Sequence, residues 1–187
     1  MKIASVALDT TSLNPWESSA GIVRVSLAIH ERGVEQFSIS MLVNPGVSIG
    51  NSEFHGVTDD QVDGADGWGR VSGLLDCWLD GVERILCHTE RFQRTHWIAQ
   101  SSKWSGAPAS WWFEDVVDVQ DLARAVTKQG KYASGYDVDS LVDRLDVNPC
   151  GSKAQKVLAI YNKLTSYTKD RDVHEIIQEW NEAQDAD

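Results

Sequence analysis

The chain has 187 residues, of which 42% are hydrophobic and 24% charged, and a formal net charge of −11. That length and balance suit one globular domain with a full core and exclude a disordered polymer. The excess of acid works against sequence-independent capture of nucleic acid, which depends on Lys and Arg displacing counterions from phosphates. It suits solubility or a basic partner. No apolar run reaches the roughly 20 residues that span a bilayer, and the first strand-like segment meets a charge at Asp9 too early for a secretory leader. The expectation is a cytoplasmic protein with no membrane contact. Cys77, Cys87 and Cys150 are odd in number and form no C-x-x-C pair, which predicts reduced thiols in place of a disulfide framework or zinc site.

Ile3 to Asp9 alternates and ends on an acid, as a central strand that delivers a side chain at its tip would. Gly21 to His30 and Val34 to Val43 are two more β-rich stretches, and Glu31-Arg32-Gly33 between them predicts a hairpin turn. Together they predict a three-stranded antiparallel meander. Thr58-Asp59-Asp60 opens a short helix by N-capping. Trp68, Val71, Leu74, Leu75, Trp78 and Leu79 then recur at helical spacing and are expected in the core. Arg84 to His88 predicts a buried strand, Glu90 to Ser101 a helix, Ser101 to Ser110 a polar loop, Trp111 to Val119 a strand, and Gln120 to Lys128 a helix. Strands that alternate with helices in this half imply parallel pairing with covering helices. Asp137 to Leu145 and Ser152 to Tyr167 are two further helices separated by the stop signal Asn148-Pro149-Cys150-Gly151. Val173, Ile176, Ile177 and Trp180 then give the last helix, Asp170 to Ala183, one apolar face.

Five segments carry a resemblance. Val43-Asn44-Pro45-Gly46 with Phe54-His55-Gly56-Val57-Thr58-Asp59-Asp60-Gln61-Val62 resembles "NPG…HGIT-x-x-x-V" of the DnaQ-like, or DEDD, 3′-to-5′ exonucleases. Ile85-Leu86-Cys87-His88-Thr89-Glu90-Arg91-Phe92-Gln93 is similar to that family's "VLVAHNARFD", and Val116 to Arg124 to its "VIDTLxLAR". Asp139 to Leu145 resembles "LxxLxxxLGI". The segments occur in family order from about Ile3 to Leu164. The resemblance implies an α/β, RNase H-like mixed sheet: three antiparallel strands followed by parallel strands with flanking helices. It implies an exonuclease-type domain over residues 1–168, with 169–187 as an amphipathic helix and acidic tail packed on it.

Members of that family cut a phosphodiester with two Mg²⁺ ions about 3.5 to 4 Å apart. Mg²⁺ demands oxygen ligands in near-octahedral order, so four carboxylates must converge while a fifth residue assists the water. Where the family has "DTETTG", Leu8-Asp9-Thr10-Thr11-Ser12 keeps Asp9, but Thr11 stands at the Glu position and the segment is shorter by two residues. Where it has "HNARFD", His88, Arg91 and Phe92 are kept and Gln93 replaces the metal-binding Asp. Its third motif, "HRALxDA", aligns Asn148 with the His and Lys153 with the last Asp. An ammonium there occupies space and charge that a divalent cation needs. Glu90, one helical turn before Gln93, and Asp146, near the third motif, are the acids able to move in.

Asp9 is therefore either a residual metal ligand or a hydrogen-bonding Asp at a strand end. His55 either contacts a strand end or bonds within its loop, and His88 is a satisfied histidine or part of a groove with Arg91 and Phe92. In Trp111-Trp112 one ring faces the core and the other, taken as Trp112, is open for a contact. Arg94, Lys103 and Arg124 lie near the same groove by resemblance. The resemblance leaves three expectations. The first is an exonuclease fold that has lost two-metal hydrolysis and binds a protein partner or a single-stranded nucleic-acid end without a cofactor. The second is an active exonuclease using Mg²⁺ or Mn²⁺ on Asp9 with relocated acids. The third is a metal-independent single-strand binder.

Overall fold

In the computed structural model, residues 1–103, 115–148 and 151–185 are described. The strands are β1 (Lys2–Thr10), β2 (Ile22–Glu31), β3 (Val34–Leu42), β4 (Arg84–Cys87) and β5 (Val116–Asp118). The helices are α1 (Ser52–His55), α2 (Asp59–Val62), α3 (Trp68–Leu79), α4 (Glu90–Lys103), α5 (Val119–Val126), α6 (Val138–Arg144), α7 (Lys153–Thr165) and α8 (Val173–Asp185). Of the predicted loop Ser101 to Ser110, residues 101–103 continue α4 instead, and residues 104–110, the first part of the predicted strand with Trp111 and Trp112, and Pro149-Cys150 lie outside the described residues.

The sheet runs β3-β2-β1-β4-β5. β1–β2 and β2–β3 pair antiparallel, while β1–β4 and β4–β5 pair parallel. The meander closes through Arg32 (φ 52°) and Gly33 (φ 80°), the two left-handed residues of a type I′ turn, with Glu31 and Val34 paired across it. This is the mixed sheet that the sequence predicts.

Because side chains alternate across a strand, β1 divides its residues between two layers. Ala4, Val6 and Leu8 join the core under α3 and α4, where Trp68 and Trp97 meet edge to face with centroids 4.6 Å apart. Ile3 and the β4 and β5 residues Leu86 and Val117 join the core on the opposite side, with Leu122, Leu141, Val157, Tyr161 and Leu164 from α5, α6 and α7. Asp9 has the parity of Ala7, which faces α7. The α3 stripe is narrower than its spacing predicts. Trp68, Val71, Leu75 and Leu79 are buried, but Leu74, at the edge of the arc, is 36% exposed. Trp78 is half-buried against Phe37, with ring centroids 5.1 Å apart.

α8 lays Val173, Ile176 and Ile177 on the α5/α7 core, and its Trp180 Nε1 donates to the Gln129 carbonyl at 2.8 Å. His174 Nε2 sits 2.8 Å from Asp115 Oδ1, a carboxylate that also accepts from Arg84 Nε at 3.2 Å. No helix among the described residues is long and apolar enough to cross a membrane.

Candidate functional site at the end of strand β1

Asp9 sits where β1 bulges out of register, between Asp9 and Thr10, and Arg24 of β2 is its cross-strand partner. Pairing of neighbours across an antiparallel ladder brings their side chains together. Arg24 Nη1 accordingly lies 3.2 Å from Asp9 Oδ2. The other carboxylate oxygen meets a residue from far along the chain: Lys153 Nζ lies 3.0 Å from Asp9 Oδ1. Each oxygen thus has its own cation. The Asp9 side chain is 13% exposed and that of Lys153 46%.

The start of α7 fixes where Lys153 stands. Ser152 caps the helix, and Gln155 Oε1 returns a bond to the Ser152 N–H at 2.9 Å, completing a capping box. Gln155 Nε2 donates onward to Glu35 Oε2 at 2.9 Å and to Ser38 Oγ at 3.2 Å, which ties the helix start to β3. The Gln155 bond, and after it one donated by Ser38 Oγ to Glu35 Oε1 at 2.9 Å, hold the Glu35 carboxyl below its ordinary range. One turn on, Lys156 Nζ reaches Asp139 at 2.7 Å. Asp9, Arg24, Lys153, Lys156 and His55 line a concavity of about 300 Å³ that Phe54, 84% exposed, borders.

The positions that the resemblance aligns with metal ligands are engaged in the scaffold. Thr11 Oγ1 donates to the Ser19 carbonyl at 2.5 Å and accepts from the Gly21 N–H at 2.9 Å, pinning the β1–β2 loop. Gln93, 5% exposed, accepts the Leu8 N–H on Oε1 at 2.8 Å. His88 Nε2 donates to the Tyr136 carbonyl at 2.6 Å, which leaves Nδ1 to face Thr89 Oγ1 at 3.1 Å. Burial holds its imidazole below the ordinary value of 6.5, and the Lys153 charge acts in the same direction. His88, Phe92, Gln93 and Lys153 line a second concavity of about 310 Å³, so Lys153 borders both.

The His55 ring is bonded at both nitrogens, to the Gly50 carbonyl and the Val57 N–H, each at 3.1 Å, and still faces the Asp9 concavity. Arg91 is exposed, and Phe92 stacks on His96 with ring centroids 4.1 Å apart. Glu90 pairs with Arg94 and borders a different concavity, shared with Asp118, Asp121 and His174. Asp146 is exposed just past α6, in the left-handed region at φ 49°, and Asn148 is exposed. Neither borders the Asp9 concavity. Trp112 lies outside the described residues.

Sequence reasoning did not single out Arg24, Lys156 or Asp118. Asp118 accepts the N–H groups of Thr89 (3.1 Å), Glu90 (2.6 Å) and Gln120 (2.9 Å), capping α4 and α5 with one carboxylate. Its signal was visible as an acid between a strand and a helix. Arg24 and Lys156 carry no local signal, because one depends on strand register and the other on helix docking.

Two divalent cations side by side need several carboxylate oxygens converging on them. The residues present do not fit that pair. Asp9 faces two cations, Thr11 and Gln93 point their polar atoms at backbone, and Lys153 adds positive charge where a metal would have to be. Among the described residues, no group of three or more His, Cys, Asp or Glu side chains is placed to hold a metal ion.

A mixed five-stranded sheet with this strand order, flanked by helices and carrying Asp9 near the end of its central strand, is an RNase H-like fold. No protein-family model and no curated protein sequence matches the chain. Solved structures do. Exonuclease X in complex with 5′ overhanging duplex DNA matches with a TM-score of 0.67 and 16% identity, over 94% of this chain and 99% of that one. The nuclease domain of 3′hExo, a DEDDh family member bound to rAMP, matches with a TM-score of 0.72 and 15% identity, over 90% and 92%. A 3′-exonuclease in a structure of 3′-end specific recognition of histone mRNA stem-loop matches with a TM-score of 0.65 and 14% identity, over 90% and 64%. The chain therefore has the fold of the DEDDh, DnaQ-like 3′-exonucleases.

Proposed function

We propose that this chain uses the exonuclease fold to bind and not to cut: it has lost two-metal hydrolysis and holds a nucleic-acid end in the groove beside Asp9. The observation that carries the reading is the pair of cations on Asp9, Lys153 at 3.0 Å and Arg24 at 3.2 Å, one on each oxygen. They neutralise the one acid retained from the family pattern, by the same electrostatic logic through which a metal would bind it. A nucleic-acid end is favoured as the ligand because the structural neighbours are described with duplex DNA and with a histone mRNA stem-loop.

A protein partner is the second reading. The net charge of −11 and the exposed Leu13 and Phe54 favour it, since an acidic surface with apolar side chains bordering the concavities suits a basic protein. Active hydrolysis would require acids from elsewhere to reach Asp9, and Glu90 borders a different concavity.

The test is degradation of 5′-labelled single-stranded DNA and RNA in Mg²⁺ or Mn²⁺, wild type beside Asp9→Ala, with both proteins shown to be folded. The expected result is no cleavage above the level of the variant. Metal-dependent laddering abolished by Asp9→Ala would overturn the proposal and assign the chain to active exonucleases.

A further inference from the structure

We infer that the concavity at Asp9 is a metal-independent site for a phosphate monoester joined to an aromatic base, with Lys153, Lys156 and Arg24 as its anion receptors. This deepens the non-hydrolytic reading above and rests on it. The walls carry three cations against two carboxylates, Asp9 and Asp139, so a chain with a net charge of −11 turns a locally positive face to this hollow. The cations come from separate elements, Arg24 from β2 and the lysines from the first two turns of α7, and they converge on one space of about 300 Å³. Charge-assisted bonds to phosphate are about twice as strong as neutral ones, and several around one group select it.

The resting pairs are exchangeable. Lys153 is 46% exposed and Asp9 only 13%, so the ammonium can turn toward an incoming anion while the carboxylate keeps Arg24. A phosphate monoester is close to a dianion at neutral pH, with three terminal oxygens, and it outcompetes a single carboxylate for a lysine. Ser26 and Ser40 add neutral partners on the same wall, their hydroxyls 3.1 Å apart across β2 and β3. Phe54 offers a ring at the rim, 84% exposed and so free to stack on a base. Asp9 is then a competitor for the cations, and this fixes the sign of its effect: removing its charge strengthens binding. A metal ligand has the opposite sign.

The source of the monoester is a free nucleoside monophosphate or a strand with a terminal 3′-phosphate. Fluorescence anisotropy in EDTA compares a dye-labelled single-stranded oligonucleotide ending in 3′-phosphate with the same strand ending in 3′-hydroxyl, with AMP and adenosine as competitors. The expected result is about tenfold tighter binding of the phosphorylated end, a similar loss in Lys153→Gln and in Lys156→Gln, and a several-fold gain in Asp9→Asn. Competition by AMP but not adenosine assigns a site open to free nucleotides, and end preference without AMP competition assigns a site for strand ends. Equal binding of the two ends with no AMP competition, or weaker binding in Asp9→Asn, would overturn the inference. Should a lysine variant fail to fold, judged by circular dichroism, Asp9→Asn decides alone. Metal-dependent cleavage lost in Asp9→Ala would instead overturn the non-hydrolytic reading, so the two failures are distinct.

Discussion

Lys153 and Asp9 lie 144 positions apart in the chain, yet an ammonium from the first residue of α7 rests 3.0 Å from a carboxylate oxygen at the end of β1. The pair joins the α7 layer to the central strand. Half of it is open to water, so solvent screens the attraction and holding the lysine costs side-chain entropy. Lys153→Met is therefore expected to lower stability by less than about 1 kcal/mol, because Arg24 still faces Asp9. Urea unfolding of the two proteins checks this, and a loss of several kcal/mol would show that the pair holds the fold.

Gln93 has a larger structural stake. Its Oε1 is the acceptor for the buried Leu8 N–H, and Leu substituted there fills similar volume but leaves that N–H without a partner. A buried donor left unsatisfied costs about 1–3 kcal/mol. Gln93→Leu should show that loss in denaturant midpoints, whereas Gln93→Glu, which keeps an acceptor, should show less.

His88 gives a pH dependence of definite sign. Burial disfavours the charged imidazole in the folded state, so its folded pKa lies below the ordinary 6.5. The unfolded chain then binds more protons in this window, and folding stability rises with pH through it. The contribution is complete above about 6.5 and is lost as pH falls toward the folded value. Unfolding free energies measured from pH 5 to 7.5 in wild type and His88→Gln should differ in slope, the variant being flatter. Equal slopes would place the titration elsewhere.

Gly33 is required by the turn and by nothing around it. Its φ is 80°, and a Cβ there would meet no atom within 4 Å, so the cost of Gly33→Ala is purely that of a left-handed backbone. That is about 1–2 kcal/mol. Arg32→Gly, at φ 52°, should offset strain with lost entropy and stay within about 1 kcal/mol of wild type. Thermal unfolding of the two variants separates the effects.

Asp118→Ala is expected to be the most damaging of these changes. It removes one carboxylate that serves the N–H groups of Thr89, Glu90 and Gln120. Losing a single cap costs about 1 kcal/mol, and here two helices lose theirs together, which brings the expected loss to about 2–3 kcal/mol. Hydrogen exchange should locate the new fraying at residues 89–93 and 119–122, and fraying of one helix alone would contradict the shared cap.

The mixed sheet was legible because most of its strands announce themselves locally. β1 alternates, Arg32-Gly33 supplies a turn suited to a two-residue hairpin, and β4 is a short apolar run. The five motif fragments then fixed the sequence of elements. The surroundings of Asp9 were legible in part: position 153 was set near the site by resemblance, and a lysine there was expected to conflict with metal. Arg24 was not found, since its place opposite Asp9 depends on the register of β1 against β2, which joins strands separated by a long loop and which no local pattern sets. The exposure of Leu74 was missed because helical periodicity gives the direction of an apolar arc and not its width.

The bonds of Thr11 and Gln93 have a bearing on how this chain can change. Thr11→Glu gives up the link that pins the β1–β2 loop, and Gln93→Asp withdraws the acceptor of Leu8 by shortening the side chain. Lys153→Asp alone sets a second carboxylate beside Asp9 with Arg24 as the cation already paired there. Each of these single changes is therefore expected to lower stability by itself. Positions 11, 93 and 153 are thus coupled through the scaffold, and a change at any one of them is felt in the bonds of β1 before it is felt in the groove.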